Sequence, residues 1–155
     1  GTVRLYVEGR FPTPSGRARL IAPRDEPADD EVTSEFPLVL ITGRGKDQWH
    51  TRTRTGKVAK LNKTEPHPYI EVHPDDAAVL KLKNGTSTRV TSRRGSAELP
   101  ARITSSIRPG TVFVPFHWGS LWGEGTTINR ATSEAVDPRS KQPEVKFAAV
   151  SLRPA

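Results

Sequence analysis

The chain has 155 residues, 34% hydrophobic and 26% charged, which suits a single domain with its own core and excludes a disordered chain. No apolar run approaches the ~20 residues of a spanning helix, so no membrane partner is expected. Without cysteine the chain cannot build a disulfide, a thiolate metal site or an iron–sulfur ligand set, and a net charge of +7 favours an anionic partner: nucleic acid, an acidic membrane surface or a phosphorylated cofactor.

Fourteen prolines and twelve glycines predict many short elements joined by turns, hence a mostly β fold. No methionine is present, and the chain is expected to be a piece of a longer polypeptide. In chain order, TVRLYVE (2–8) predicts a short strand, and TPSG (13–16) a turn between extended pieces. APRDEPADDEVTSE (22–35) carries six acids against one arginine and reads as a linker with no core of its own. Residues 1–35 are therefore expected to be an N-terminal strand and acidic linker from a preceding region, and residues 36–155 the folded domain.

FPLVLITGR (36–44) predicts a buried strand that ends at a glycine, followed by a basic loop that is helical near Lys57–Leu61. PYIEVH (68–73) predicts a second strand. HPDDAAVLKLKNG (73–85) has the marks of a short helix: Pro74 at its first position, Asp75 and Asp76 in its first turn, and Asn84-Gly85 to end it. TSTRVTSRRGSAELPARIT (86–104) reads as a hairpin turning at SRRGS, with Val90, Ala97, Leu99 and Ile103 pointing inward. RPGTVFVPFHWG (108–119) supplies a turn and a strand, residues 120–145 a long polar loop, and KFAAVSLRP (146–154) the last strand. About six short strands with one or two short helices make a small barrel.

The loop after the first barrel strand carries the clearest chemical signal. Between Gly43 and Lys63 seven cations face one acid, so +6 of the chain's +7 sits in this segment. A glycine at a strand end lets backbone N–H groups approach a ligand, and arginine forks suit phosphate oxygens. Thr51, Thr53 and Thr55 alternate, so an extended loop would put their hydroxyls on one face. Trp49 and His50 add a flat surface on which a heteroaromatic ring can stack. On charge alone a solvated basic loop accounts for the same residues about equally well; the hydroxyls, the tryptophan and the glycine favour a phosphate site.

A second cluster, PFHWGSLWGEG (115–125), places His117, Trp118 and Trp122 among glycines, as an aromatic wall or as an ordinary tryptophan-anchored turn. The four histidines are scattered, so no metal site is expected. No GxGxxG, Walker, HExxH or GxSxG motif occurs, and no catalytic set of nucleophile and base is expected in this chain.

Five stretches occurring in one order carry a resemblance. They are TGRGKDQWHTRTRTGKVAKL, IEVHPDDAAVLKLKNG, SRRGSAELPARIT, RPGTVFVPFHWG and DPRSKQPEVKFAAVSL. Together they resemble the C-terminal molybdopterin guanine dinucleotide-binding domain of the molybdopterin oxidoreductase family, most closely in the assimilatory nitrate reductases. GRFPTPSGRARL (9–20) looks like the segment joining that domain to the preceding part of such an enzyme.

The resemblance implies a double-psi β-barrel that clamps one nucleotide arm of the molybdopterin guanine dinucleotide cofactor (Mo-bis-MGD). It places cofactor contacts at Thr42, Gly43, Arg44, Gln48, Trp49, His50, Thr51 and Thr53, and at His117, Asn129 and Lys146. It further implies an iron–sulfur cluster only in upstream domains of the same oxidoreductase, which become this domain's partners, and a cytoplasmic enzyme of nitrate assimilation that converts nitrate to nitrite. The isolated domain is expected to catalyse nothing. The alternatives are a formate dehydrogenase-type member of the same family, or a basic β-barrel that binds nucleic acid; with ten aromatic side chains the stacking platform for single strands is thin, and nucleic acid is not the expected partner.

Overall fold

A computed structural model of the chain describes residues 3–24 and 26–155. Six strands close into one barrel: β1 (Leu38–Gly43), β2 (Ile70–Val72), β3 (Ser87–Thr91), β4 (Ser96–Ile103), β5 (Thr111–Pro115) and β6 (Ala148–Pro154). Their order around the wall is β1-β5-β2-β4-β3-β6, with β6 pairing back onto β1. Two neighbouring pairs are parallel, β1 with β5 and β2 with β4, and the others antiparallel. This is the expected double-psi β-barrel, with two short helices, α1 (Ala59–Asn62) and α2 (Pro74–Val79).

Alternation along the strands fills the interior. Leu38 and Leu40, Ile70 and Val72, Val112 and Val114, and Val150 and Leu152 all point inward and are buried, as are Val90, Ala97 and Leu99 of the hairpin. Ile103, expected beside them, is half-buried and packs against the same cluster. Burying each large aliphatic side chain contributes roughly 1.5–3 kcal/mol. None of residues 3–24 is buried, so the cohesion of the fold resides in the barrel.

Three expectations need correction. The predicted strand at 2–8 is absent over its described residues: 3–6 are bends and turns and Val7–Gly9 is a 3-10 turn, with Tyr6 and Glu8 both at φ 59°. Its first residue, Thr2, lies outside the described residues, as does Asp25 of the acidic stretch. A strand needs a ladder partner, and a closed barrel offers no free edge. Helix α2 has the expected start, with Pro74 at its first position and His73 Nδ1 accepting from the Asp75 N–H, but it ends at Val79. Lys81 takes a left-handed φ of 55°, which turns the chain before Asn84-Gly85 is reached. The long polar loop contains a 3-10 turn at Ile128–Ala131 that buries Ile128 and Ala131 in the barrel core.

The acidic stretch is also tied down, at Asp29 by the Ser133 hydroxyl at 3.2 Å and more deeply at Asp30. Asp30 is buried and accepts from the Ala149 N–H at 2.8 Å, from Arg93 at 2.6 Å and from Arg94 at 3.0 Å. Burial pushes its carboxyl up, but the Ala149 N–H, the Arg94 hydrogen bond and the charges of Arg94 and Arg93 outweigh it and hold the group below the ordinary carboxylate range. A group whose folded pKa is depressed adds stability above its unfolded value, near pH 3.9, and loses it as pH falls through the folded value. Asp30→Asn is therefore expected to cost about 1–3 kcal/mol in urea unfolding near pH 7. The gap to wild type should close as pH drops below about 4; an equal gap at both pH values would contradict this.

Candidate functional site

The two parallel strands β1 and β5 run in register, with Thr42 opposite Val114 and Gly43 opposite Pro115, so both end at the same rim of the barrel. One further bond, from the Phe116 N–H to the Gly43 carbonyl at 3.0 Å, carries the pairing past the strand ends. A Cβ on Gly43 would lie 2.7 Å from the Phe113 ring, so only glycine allows this approach. The loops that leave the rim are the basic loop after Gly43 and the aromatic loop after Pro115.

His117 joins them. It is buried, and its Nε2 accepts from the Gly45 N–H at 2.7 Å. The ring proton therefore sits on Nδ1, which donates to the His50 carbonyl at 2.9 Å. Both ring nitrogens are thus spent on the opposite loop. Burial pushes the imidazole below its ordinary value against the pull of the His50 carbonyl and Glu65, and Arg52 and Arg44 push the same way as burial.

Gln48 is buried beside this pin; its side-chain carbonyl accepts from the Thr55 hydroxyl at 2.8 Å, and that hydroxyl accepts from the Trp49 N–H at 3.2 Å. Thr42 is buried and donates to the Val145 carbonyl at 2.5 Å, while Lys146 donates to the Thr42 carbonyl at 2.7 Å. These residues set the loop's shape from behind. Arg44, Trp49, His50, Thr51 and Thr53 lie on its exposed side. Arg44 covers the Trp49 ring at 4.8 Å, Trp49 meets His50 edge-on at 4.7 Å, and the Thr51 and Thr53 hydroxyls are 2.7 Å apart. Thr55 does not share their face, because His50 (φ 43°) and Arg52 (φ 63°) are left-handed and the segment is a run of turns to which a period of two does not apply.

A hollow of about 250 Å³ opens between the loops, lined by Thr51 on one side and by Phe116, His117, Trp122, Thr127 and Asn129 on the other. Of the seven cations in the segment, Arg44, Lys46, Arg54, Lys57, Lys60 and Lys63 are exposed. A larger hollow of about 410 Å³ lies at the opposite end of β1, between Leu38, Leu80 and Leu152. Its charged lining residues are Glu35 and Asp76, which suit no anion.

Sequence reasoning counted Arg52 only as one of the loop's seven cations, whereas it is buried against two tryptophans, 4.1 Å from the Trp118 ring and 4.6 Å from Trp122. Asn62, also overlooked, accepts from its Nη2 at 2.8 Å and donates to the Gly56 carbonyl at 2.7 Å. The nearest signals were the small residues: a Cβ on Gly56 would meet the Trp122 ring at 2.6 Å, and one on Gly45 would meet Glu65 Oε2 at 1.9 Å.

A hollow between a loop rich in exposed cations and an aromatic loop, on a barrel rim where two parallel strands end, suits an anionic ligand that carries a flat ring. The family described as the molydopterin dinucleotide binding domain matches residues 38–149, and the chain belongs to that family. It is 42% identical over 153 residues to the nitrate reductase of Synechocystis sp., covering 99% of this chain and 21% of that one. It is 36% identical over 152 residues to the F420-dependent formate dehydrogenase subunit alpha of Methanocaldococcus jannaschii, covering 98% of this chain and 22% of that one. The chain thus spans about a fifth of the length of the curated relatives it matches. Among solved structures, acetylene hydratase from Pelobacter acetylenicus shares the fold, with a TM-score of 0.65 and 20% identity over 78% of this chain and 19% of that one. Among the described residues, no helix is long and apolar enough to cross a membrane.

The pin makes two testable statements. Gly45→Ala should displace Glu65 or residue 45 itself, and amide exchange at residues 45 and 48 should rise while β4 and β5 stay protected; unchanged exchange would show that the carboxylate yields freely. In the wild-type chain the pin needs a neutral His117. Its folded pKa is depressed, so the unfolded chain takes the proton first, and the pin's contribution is present above about pH 6.5 and is lost as pH falls through the folded value. Protection of the Gly45 amide should fall on acidification ahead of the barrel strands, and a loss simultaneous with theirs would contradict this.

Proposed function

We propose that the chain is the cofactor-clamping domain of a molybdenum oxidoreductase of the nitrate reductase type, holding one guanine dinucleotide arm of Mo-bis-MGD. The observation that carries the reading is the convergence of the loops after β1 and β5, the first of them rich in exposed cations, on one hollow. Its chemistry fits the ligand. A pyrophosphate needs cations, hydroxyls and backbone N–H groups, which Arg44, Thr51, Thr53 and the turn at Gly43 offer. A pterin or guanine ring needs a flat face and an amide edge, and Trp49, His50 and Asn129 provide them.

Lys146 contributes from the other side of the rim, where its ammonium lies 5.7 Å from the Phe116 ring as well as on the Thr42 carbonyl. Thr42, Gln48 and His117, with their side chains engaged inside the protein, act by fixing the loop that meets the ligand. When bound, the cofactor's molybdenum supplies the two-electron chemistry; this chain's residues bind, orient and immobilise the nucleotide arm. Iron–sulfur ligands would come from upstream domains of the same enzyme, since this chain has no cysteine.

Within this reading the complete enzyme reduces nitrate to nitrite, taking up two electrons and two protons and releasing water, and works in the cytoplasm in nitrate assimilation. The second reading, formate oxidation, is supported by the similarity to the Methanocaldococcus jannaschii protein. A nucleic-acid barrel has less support: OB-folds are five-stranded, and here Trp118 is buried rather than presented for stacking.

Two measurements test the proposal. Guanosine diphosphate added to the isotopically labelled chain should shift amides of residues 42–55, 117–129 and 146, and a spectrum that does not change would count against a nucleotide clamp. The complete enzyme that carries this chain should form nitrite from nitrate with a reduced viologen donor; formate oxidation with no nitrite formed would replace nitrate by formate.

A further inference from the structure

Four buried side-chain atoms lack a hydrogen-bond partner among the described residues, and all four are close neighbours: Arg52 Nε, Arg52 Nη1, Trp118 Nε1 and Glu65 Oε2. A buried donor without an acceptor is destabilising. Arg52 adds a left-handed backbone at φ 63°, a conformation unfavourable for a non-glycine residue. Its guanidinium is nevertheless held in place, with Nη2 on Asn62 Oδ1 and the Trp118 and Trp122 rings packed against it at 4.1 and 4.6 Å. Glu65 is near enough to act on it electrostatically, yet the two form no ion pair within 4.0 Å, and Glu65 Oε1 already accepts from the Tyr69 hydroxyl at 2.9 Å. The chain therefore orders a cation and leaves two of its three guanidinium nitrogens without an acceptor.

The position of the cage suggests their use. Thr51, the residue before Arg52, lines the hollow between the loops, and so does Trp122, whose ring lies 4.6 Å from the guanidinium. Trp122 is itself partly exposed, so the guanidinium packs against a ring that borders the ligand space.

We propose that Arg52 is an anion-receiving group of this hollow: phosphate-type oxygens of the bound ligand, admitted as Trp122 turns aside, take the hydrogen bonds that Nε and Nη1 lack. Trp118 stays behind the guanidinium and fixes its plane, and Asn62 fixes its rotation. With Nη2 on Asn62, the unpaired Nε–H and Nη1 lie on different edges of the guanidinium and call for separate oxygens, which a pyrophosphate-type group can supply. The inference rests on the nucleotide-clamp reading and adds to it a residue that the resemblance does not assign.

The test uses the full chain with inorganic pyrophosphate and with guanosine diphosphate as probes. The Arg52 Nε–H resonance of the wild-type chain should move downfield on addition of either, and Trp122 fluorescence should change with the same midpoint. Arg52→Gln should weaken binding of both probes by about tenfold, with Arg52→Lys intermediate, while the unfolding temperature confirms that each variant folds. Suppose guanosine diphosphate shifts the backbone amides of residues 42–51, leaves the Arg52 Nε–H unmoved and binds Arg52→Gln equally well: the role of Arg52 is then overturned and the clamp stands. Should neither probe move any resonance, the clamp and the inference fall together. A wild-type Nε–H already shifted downfield without any probe would show that water or Glu65 satisfies the cage, and that too would overturn the proposal.

Discussion

Two parallel strands that end side by side determine what this domain can do. The β1–β5 pairing sets Gly43 against Pro115, and each chain leaves the wall there because neither has a further ladder partner. A cationic, hydroxyl-bearing loop and an aromatic loop, pinned to each other by a contact 72 residues apart in sequence, are thereby placed across one hollow. Antiparallel pairing would have put the start of one strand beside the end of the other and separated the two loops by the length of the barrel.

Holding the loops at a fixed distance requires more than the strands. His117 reaches across with both ring nitrogens, Thr42 exchanges bonds with Val145 and Lys146 just before β6, and Arg52 of the first loop packs against two tryptophans of the second. Each tie crosses between segments distant in sequence and carries polar atoms into the interior, where a bond that is made contributes only about 1 kcal/mol but one that is broken costs more. Such ties set a shape without adding much stability, and the aliphatic core of the barrel supplies the stability instead.

The barrel was legible because period-two burial writes itself into short runs: Leu38 and Leu40, Val112 and Val114, and the Val90/Ala97/Leu99 face of a hairpin whose SRRGS turn marks its own centre. The strand expected at 2–8 has the same look but no partner, and pairing is not a property of one segment. The basic loop was legible as a region, through its charge and its glycines, but not residue by residue. Gln48 and Arg52 are as polar as Arg44 and Arg54, and only the tertiary fold decides that the first two are buried. Asp30 shows the same limit: nothing local sets it apart from Asp29 or Glu31, and it is singled out by Arg93, Arg94 and the Ala149 N–H, which arrive from far along the chain.

The most direct test is a crystal structure of the complete enzyme with its cofactor bound. A nucleotide arm should lie between residues 44–55 and 116–129, its phosphates facing the arginine and threonine side of the hollow, with His117 still bridging Gly45 and His50. Electron density that places the nucleotide elsewhere, with those two loops touching only protein, would contradict the account.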